Sequence, residues 1–158
     1  MGFFDFMPGM GKKVEPKVLT EEHSAAEKKE INDRRKAAAL ADEVKGLGLE
    51  VEDLGVKVDG ETATISGTVA DQATKEKAVL AVGNTVGIGR VDDRIEVSEP
   101  EPEAQFHTVA AGENLSVISK KYYGDPNKYP AIFEANKPML SDPDKIYPGQ
   151  VLRIPPIE

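Results

Sequence analysis

The run Ser-Glu-Pro-Glu-Pro-Glu at residues 98–103 is the feature that most constrains the fold. Proline fixes the backbone dihedral φ and removes a hydrogen-bond donor, and the like charges repel one another, so this segment stays extended. It divides the 158-residue chain into units of about 50–80 residues, each near the lower size limit for a self-supporting hydrophobic core. We therefore predict two small domains, residues 21–98 and 106–156, joined by a linker over residues 99–105.

Residues 1–20 form a leader that begins MGFFDFMPGMG. It lacks the ~20 consecutive apolar residues of a membrane span. It also has no basic residue ahead of its apolar part, and Asp5 and Pro8 interrupt that part, so it does not resemble a secretory signal. Its phenylalanines and methionines are too apolar for an idle, solvated tail. We expect a cytoplasmic protein whose leader docks on the first domain.

The first domain shows the periodicities of helix, strand, strand, helix and strand. A Ser-x-x-Glu capping box and apolar residues three and four apart predict a helix over residues 24–45. Apolar residues then alternate over residues 54–69 around an Asp-Gly pair, which is typical of a β-hairpin. Asp71 is placed to cap a second helix that ends at a Gly-Asn pair after Val82. Alternation over residues 91–97 predicts the last strand.

The sequence pattern of the second domain predicts a strand, two helices and a strand, over residues 106–109, 115–122, 128–136 and 150–154. The fold class is therefore α+β, with two small domains. Its aromatic residues either lie in the core or meet the first domain, and because a unit of this size needs its large side chains inside, we expect most of them in the core. These residues are Tyr122, Tyr123, Tyr129, Phe133 and Tyr147.

Both domains carry motif residues of known families. In the second domain they are Thr108, Val109, Gly112, Glu113, Asn114, Leu115, Ile118, Tyr123, Gly124, Ile132, Ala135, Asn136 and the segment IYPGQVLRIP at residues 146–155. This set resembles a LysM domain, with Glu113 and Asn114 in place of the usual aspartate and threonine. The hairpin with Gly67 and the segment VGNTVGI at residues 82–88, leading to Val91, are similar to a BON domain. Together with the leader, the pair resembles the small bacterial BON–LysM potassium-binding proteins.

The resemblance implies one K⁺ ion held by main-chain carbonyls of the leader and of the turn after the second helix. The positions that match are Met7, Pro8, Met10, Gly83, Thr85 and Ile88. K⁺ is large and weakly hydrated, so neutral carbonyl oxygens can replace its water, and the larger Rb⁺ and Cs⁺ are expected to fit as well. Binding would then be coupled to compaction, as in a sensor or a buffer. Taken from the residues alone, Gly83 is better explained as a helix C-cap, and the resemblance reverses this preference.

The alternative function is a LysM module that binds N-acetylglucosamine oligomers or peptidoglycan, with weak binding of chito-oligosaccharides. The resemblance would place the glycan between the start of the first LysM helix and the loop before its last strand. The residues at these positions are Gly112, Glu113, Asn114, Leu115, Asp144, Lys145 and Ile146. A cytoplasmic chain does not meet the cell wall, which disfavours this function.

The composition of the chain disfavours several other classes of function. The net charge of −8 and the aromatic content of 6% do not suit a nucleic-acid interface or an anionic membrane surface. The chain has no cysteine, and its two histidines fall in separate parts of the chain. Asp92 and Asp93 are adjacent, so on a strand they point to opposite sides and cannot share a proton. We expect them to be solvated at a strand edge, and we expect a monomer that is not an enzyme.

Overall fold

The computed structural model describes residues 2–6, 11 and 25–156. The fold is α+β, as predicted, with a four-stranded sheet and a two-stranded sheet. A short 3-10 helix spans Pro126–Lys128. The other elements are β1 (Gly2–Asp5), α1 (Ala25–Gly46), β2 (Glu52–Asp59), β3 (Thr62–Asp71), α2 (Gln72–Gly83), β4 (Arg90–Glu99), β5 (Gln105–Thr108), α3 (Leu115–Tyr123), α4 (Tyr129–Ala135) and β6 (Val151–Ile154).

The first domain is built on the sheet β1-β4-β3-β2. The predicted hairpin is confirmed, since β2 and β3 pair antiparallel around the Asp-Gly turn. Strand β4 returns parallel to β3 after the α2 crossover. Strand β1, which the sequence patterns did not predict, comes from the leader and pairs antiparallel with β4, with Phe4 opposite Val91. The leader thus contributes one of the two edge strands of the sheet.

The expectation that Asp92 and Asp93 are solvated at an edge was wrong. They are only 8% and 3% exposed, since β4 is an inner strand between β1 and β3, and Asp93 faces Lys75 of α2. The Asp93 carboxylate lies 3.4 Å from Lys75 Nζ and accepts a hydrogen bond from the Ile95 amide at 3.0 Å. Asp92 lies 3.0 Å from Arg94 Nε. Their charges are therefore compensated inside the sheet.

The core of the first domain lies between the sheet and the two helices. Phe4 and Phe6 of the leader pack against this core. The predicted cap of α2 is confirmed, because the Asp71 carboxylate accepts from the Thr74 amide at 2.8 Å. Ser24 of the predicted capping box falls outside the described residues. The buried core residues are Leu40, Val44, Ala63, Ile65, Val69, Ala78, Val79, Val82, Ile88, Val91 and Ile95.

The second domain packs α3 and α4 on the antiparallel pair β5 and β6. Tyr122, Tyr123 and Phe133 contact its core, as expected. Tyr129 is 37% exposed, so its assignment to the core was wrong; it begins α4 on the solvent side. The buried core residues are Val109, Leu115, Ile118, Ile132, Leu140, Leu152 and Ile154.

The two domains contact each other along α2. Arg153 Nε of β6 donates to the buried Glu76 carboxylate at 2.6 Å, and the Ala104 amide donates to the same carboxylate at 2.9 Å. The rings of Phe4 and Phe106 meet edge to face with centroids 5.5 Å apart. Residues 100–103 are exposed, whereas Ala104 is buried. The last part of the linker is therefore packed against the first domain.

Candidate functional site

Helix α2 ends in a turn, residues 83–89, that presents several main-chain carbonyls. The carbonyl end of a helix carries about half a negative charge. The last turn of α2 contains no basic residue that would neutralise this charge. The Asn84 amide returns to Leu80 O at 2.9 Å and the Thr85 amide to Val82 O at 3.3 Å, which closes the helix. The chain then leaves the helix axis with Gly87 at φ +95°, a conformation that favours glycine.

Three predicted ligands, Gly83, Thr85 and Ile88, lie on this turn and are buried. Thr85 O accepts from the Ile88 amide at 3.1 Å and keeps a second lone pair, while Thr85 Oγ1 donates to Ala81 O at 3.0 Å. Among residues 2–6, 11 and 25–156, the backbone–backbone hydrogen bonds of the turn include none to Gly83 O or Ile88 O. Buried carbonyls usually have a partner, so these two oxygens are candidates for a bound cation.

The leader contacts both ends of the turn. The Phe6 amide donates to Gly89 O at 2.8 Å. The Phe6 ring lies so close to Gly83 that a Cβ atom added to Gly83 would be 2.0 Å from the ring carbon Cζ. Gly11, at φ +115°, is equally close to Asn84, where an added Cβ would lie 2.0 Å from the carbonyl oxygen. The other predicted ligands, at positions 7, 8 and 10, lie outside the described residues.

Lys36 of α1 contacts the turn after α2, which the sequence patterns did not predict. Its ammonium group lies 2.8 Å from Gly87 O and 3.1 Å from Gly60 O, which joins the turn to the β2–β3 hairpin. The turn therefore already binds one monovalent cation, a side-chain ammonium, through a main-chain oxygen. The missing basic residue in the last turn of α2 was the available signal, because it leaves the negative end of the helix dipole without a neutralising side chain of its own.

A carboxylate-based metal site is not formed in the part of the chain that the structure describes, where no group of three acidic or histidine residues could hold an ion. The described helices also include none that is long and apolar enough to cross a membrane.

The predicted glycan residues are in part engaged in the fold of the second domain. Glu113 accepts from the Ala110 amide at 2.7 Å and lies 2.8 Å from His107 Nε2; these hydrogen bonds hold the pKa of its carboxyl below its usual range. Asn114 caps α3, and Leu115 is a core residue. Ile146 packs against the same core. Gly112, Asp144 and Lys145 are exposed.

Comparison with known proteins agrees with this architecture. The family model of the BON domain matches residues 32–99, and that of the LysM domain matches residues 107–155. The protein of Escherichia coli O6:H1 named Potassium binding protein Kbp is 41% identical over 155 residues, which cover 98% of this chain and 99% of that protein.

Two further relatives match only part of the chain. An uncharacterized protein of Deinococcus radiodurans is 49% identical over 49 residues, 31% of this chain and 19% of its own. Esterase Rv1288 of Mycobacterium tuberculosis is 42% identical over 53 residues, 34% of this chain and 11% of its own. Most of each of these two proteins lies outside the match. The full-length similarity and both domain matches show that the chain belongs to the family of BON–LysM proteins that includes Kbp.

Proposed function

We propose that this protein binds K⁺ reversibly in the cytoplasm, as a sensor or a buffer. The ligands are six main-chain carbonyls. Three lie on the turn, at Gly83, Thr85 and Ile88, and three lie in the leader, at Met7, Pro8 and Met10. The observation that carries the proposal is the contact of Phe6 and Gly11, on either side of these leader positions, with the two ends of the turn. Similarity to a relative named for potassium binding, over nearly the whole chain, supports it.

The chemistry of the turn suits a monovalent ion. Oxygen ligands without formal charge compensate poorly for the dehydration of Ca²⁺ or Mg²⁺, which favour carboxylates, but they can replace the weakly held water of K⁺. The same reasoning extends to Rb⁺ and Cs⁺. Because the ligands come from the leader and from the turn, ion binding and leader docking form one equilibrium. We therefore expect a more compact and more stable protein in potassium than in sodium.

Calorimetric titration of the full chain with KCl tests the proposal, with NaCl at the same ionic strength as the control. We expect saturable binding of one K⁺ per chain and no comparable heat from Na⁺. RbCl and CsCl measure how strictly the site selects by size. Titration with chito-oligosaccharide tests the alternative LysM function. Equal heats from KCl and NaCl would contradict the potassium site.

A pair of glycine substitutions tests whether the leader takes part. Gly11→Ala places a methyl group against Asn84 O, whereas Gly112→Ala, also at positive φ, meets no atom within 4 Å. Both carry the strain of a left-handed backbone, so their difference isolates the contact with the turn. We expect Gly11→Ala to weaken K⁺ binding and Gly112→Ala to leave it unchanged.

A further inference from the structure

The open edge of β6 is closed by two asparagine side chains, one from each domain. Strand β5 covers one edge of β6, and the amide and carbonyl groups of Val151 and Arg153 face away from it. Asn136, within the LysM domain, accepts from the Arg153 amide at 2.8 Å and donates to Arg153 O at 2.9 Å. Asn84, from the BON domain, accepts from the Val151 amide at 2.9 Å and donates to Val151 O at 2.8 Å.

The two amides play equivalent parts on β6 but have different origins. Each satisfies one amide and one carbonyl of an edge strand, as a neighbouring strand would. Asn136 stays with β6 whatever the BON domain does, because both belong to the LysM domain. The partner of Val151, in contrast, is present only when the turn after α2 lies against β6. The edge of the LysM sheet is therefore completed from the BON domain.

Asn84 also stands between two of the proposed carbonyl ligands, Gly83 and Thr85. The peptide plane that carries Gly83 O ends at the Asn84 nitrogen, so the orientation of that oxygen and φ of Asn84, now −82°, are linked. The Tyr147 hydroxyl of the LysM domain lies 3.4 Å from Asn84 O. Asn84 therefore joins the backbone of the turn to two residues of the LysM domain, Val151 and Tyr147.

We propose that the Asn84 side chain is the positioning residue that couples cation occupancy of the 83–89 turn to docking of the LysM domain. This inference rests on the proposed potassium site and adds the route by which the second domain responds to it. Coupling between two equilibria is reciprocal, so docking of β6 on Asn84 also raises the affinity of the turn for K⁺. A merely structural contact would stabilise the fold without changing the affinity for the ion.

The test follows backbone amide resonances of the full chain during potassium titration. In the unsubstituted protein, the amides of Thr85, Ile88 and Val151 should shift with one common midpoint in KCl and not in NaCl. In Asn84→Ala, the Thr85 and Ile88 amides should still titrate, with a midpoint at least about 5-fold higher, the lower end of typical coupling between sites. The Val151 amide should no longer follow the titration. Asn127→Ala, an exposed asparagine of the short 3-10 helix, is the control and should behave as the unsubstituted protein.

A second variant approaches the contact from the LysM side. Val151→Pro removes the amide that donates to Asn84 while leaving the turn sequence intact, and proline is tolerated at the first residue of a strand. We expect it to raise the potassium midpoint of Thr85 and Ile88 in the same direction as Asn84→Ala. This variant decides the question if Asn84→Ala does not fold.

The possible failures are distinguishable. Midpoints within twofold of the unsubstituted protein in both variants, with Val151 still responding in Asn84→Ala, would overturn the coupling and leave the potassium site standing. If Thr85 and Ile88 do not respond to KCl in the unsubstituted protein, the potassium site itself is overturned, and the coupling with it.

Discussion

Two glycines that end helices provide a matched test of how the leader is docked. Gly46 is the last residue of α1 and Gly83 is the last residue of α2. Alanine is a better helix former than glycine by about 1 kcal/mol in a helix interior, and by less at an end. At Gly46 an added Cβ meets no atom within 4 Å, so Gly46→Ala should raise the free energy of unfolding by about 0.5 kcal/mol.

Gly83→Ala should instead lower the free energy of unfolding, because the added methyl group would displace the Phe6 ring. The added Cβ would lie 2.0 Å from one ring carbon and 2.3 Å from two others, so the ring must leave its place. Full burial of a phenylalanine side chain contributes about 1.5–3 kcal/mol, and Phe6 is partly buried. Loss of the hydrogen bond from Phe6 to Gly89 O adds about 1 kcal/mol. After the gain in helix propensity, we expect a net destabilisation of about 1–2 kcal/mol.

Urea denaturation in KCl and in NaCl measures both effects. Gly46→Ala should shift the curves equally in the two salts, since it is remote from the turn. Gly83→Ala should lower stability in NaCl and should lose a large part of any additional stabilisation by KCl, because the displaced leader no longer completes the proposed site. If Gly83→Ala stabilises the protein as Gly46→Ala does, the leader is not seated on the turn and the reasoning is refuted.

Three further predictions follow from the same structure. At K⁺ about 100-fold above its dissociation constant, the unfolding free energy should rise by about 2.7 kcal/mol; identical thermal melts in potassium and sodium would contradict this. Arg153→Met leaves the Glu76 carboxylate buried without its guanidinium, so it should cost about 3–5 kcal/mol in urea denaturation, and the double variant with Glu76→Gln should recover part of the loss. Because hydrogen bonds lower the pKa of Glu113 in the folded state, its stabilisation is present above the ordinary glutamate pKa and is lost as the pH falls through the lowered value. Glu113→Gln should therefore reduce stability near neutral pH and flatten its decline in acid, as measured by urea midpoints from pH 7 to pH 3.

Local sequence patterns predicted most of the helices and strands. They could not predict contacts between segments that are far apart in the chain. The β2–β3 hairpin and the Asp71 cap depend on neighbours in the sequence, and both are present. The pairing of β1 with β4 joins segments far apart in the chain and makes β4 an inner strand, whereas Asp92 and Asp93 were expected at an edge. Lys36 reaches Gly87 across 51 residues, a distance over which periodicity carries no information.

The turn after α2 can serve both domains because its proposed ligands are main-chain atoms. A carbonyl ligand does not use the side chain of its residue, so the side chains of the turn are available for other contacts. Ile88 lies in the core, and Asn84 binds β6. At the proposed ligand Thr85, substitutions that keep the backbone in place should therefore leave the ion affinity unchanged, although they cost stability where the hydrogen bond to Ala81 O is lost. Substitutions that change contacts around the turn, at Phe6 or Asn84, should alter ion affinity without removing any ligand. This distribution of effects separates a carbonyl site from a carboxylate site, where the ligand residues themselves are the sensitive ones.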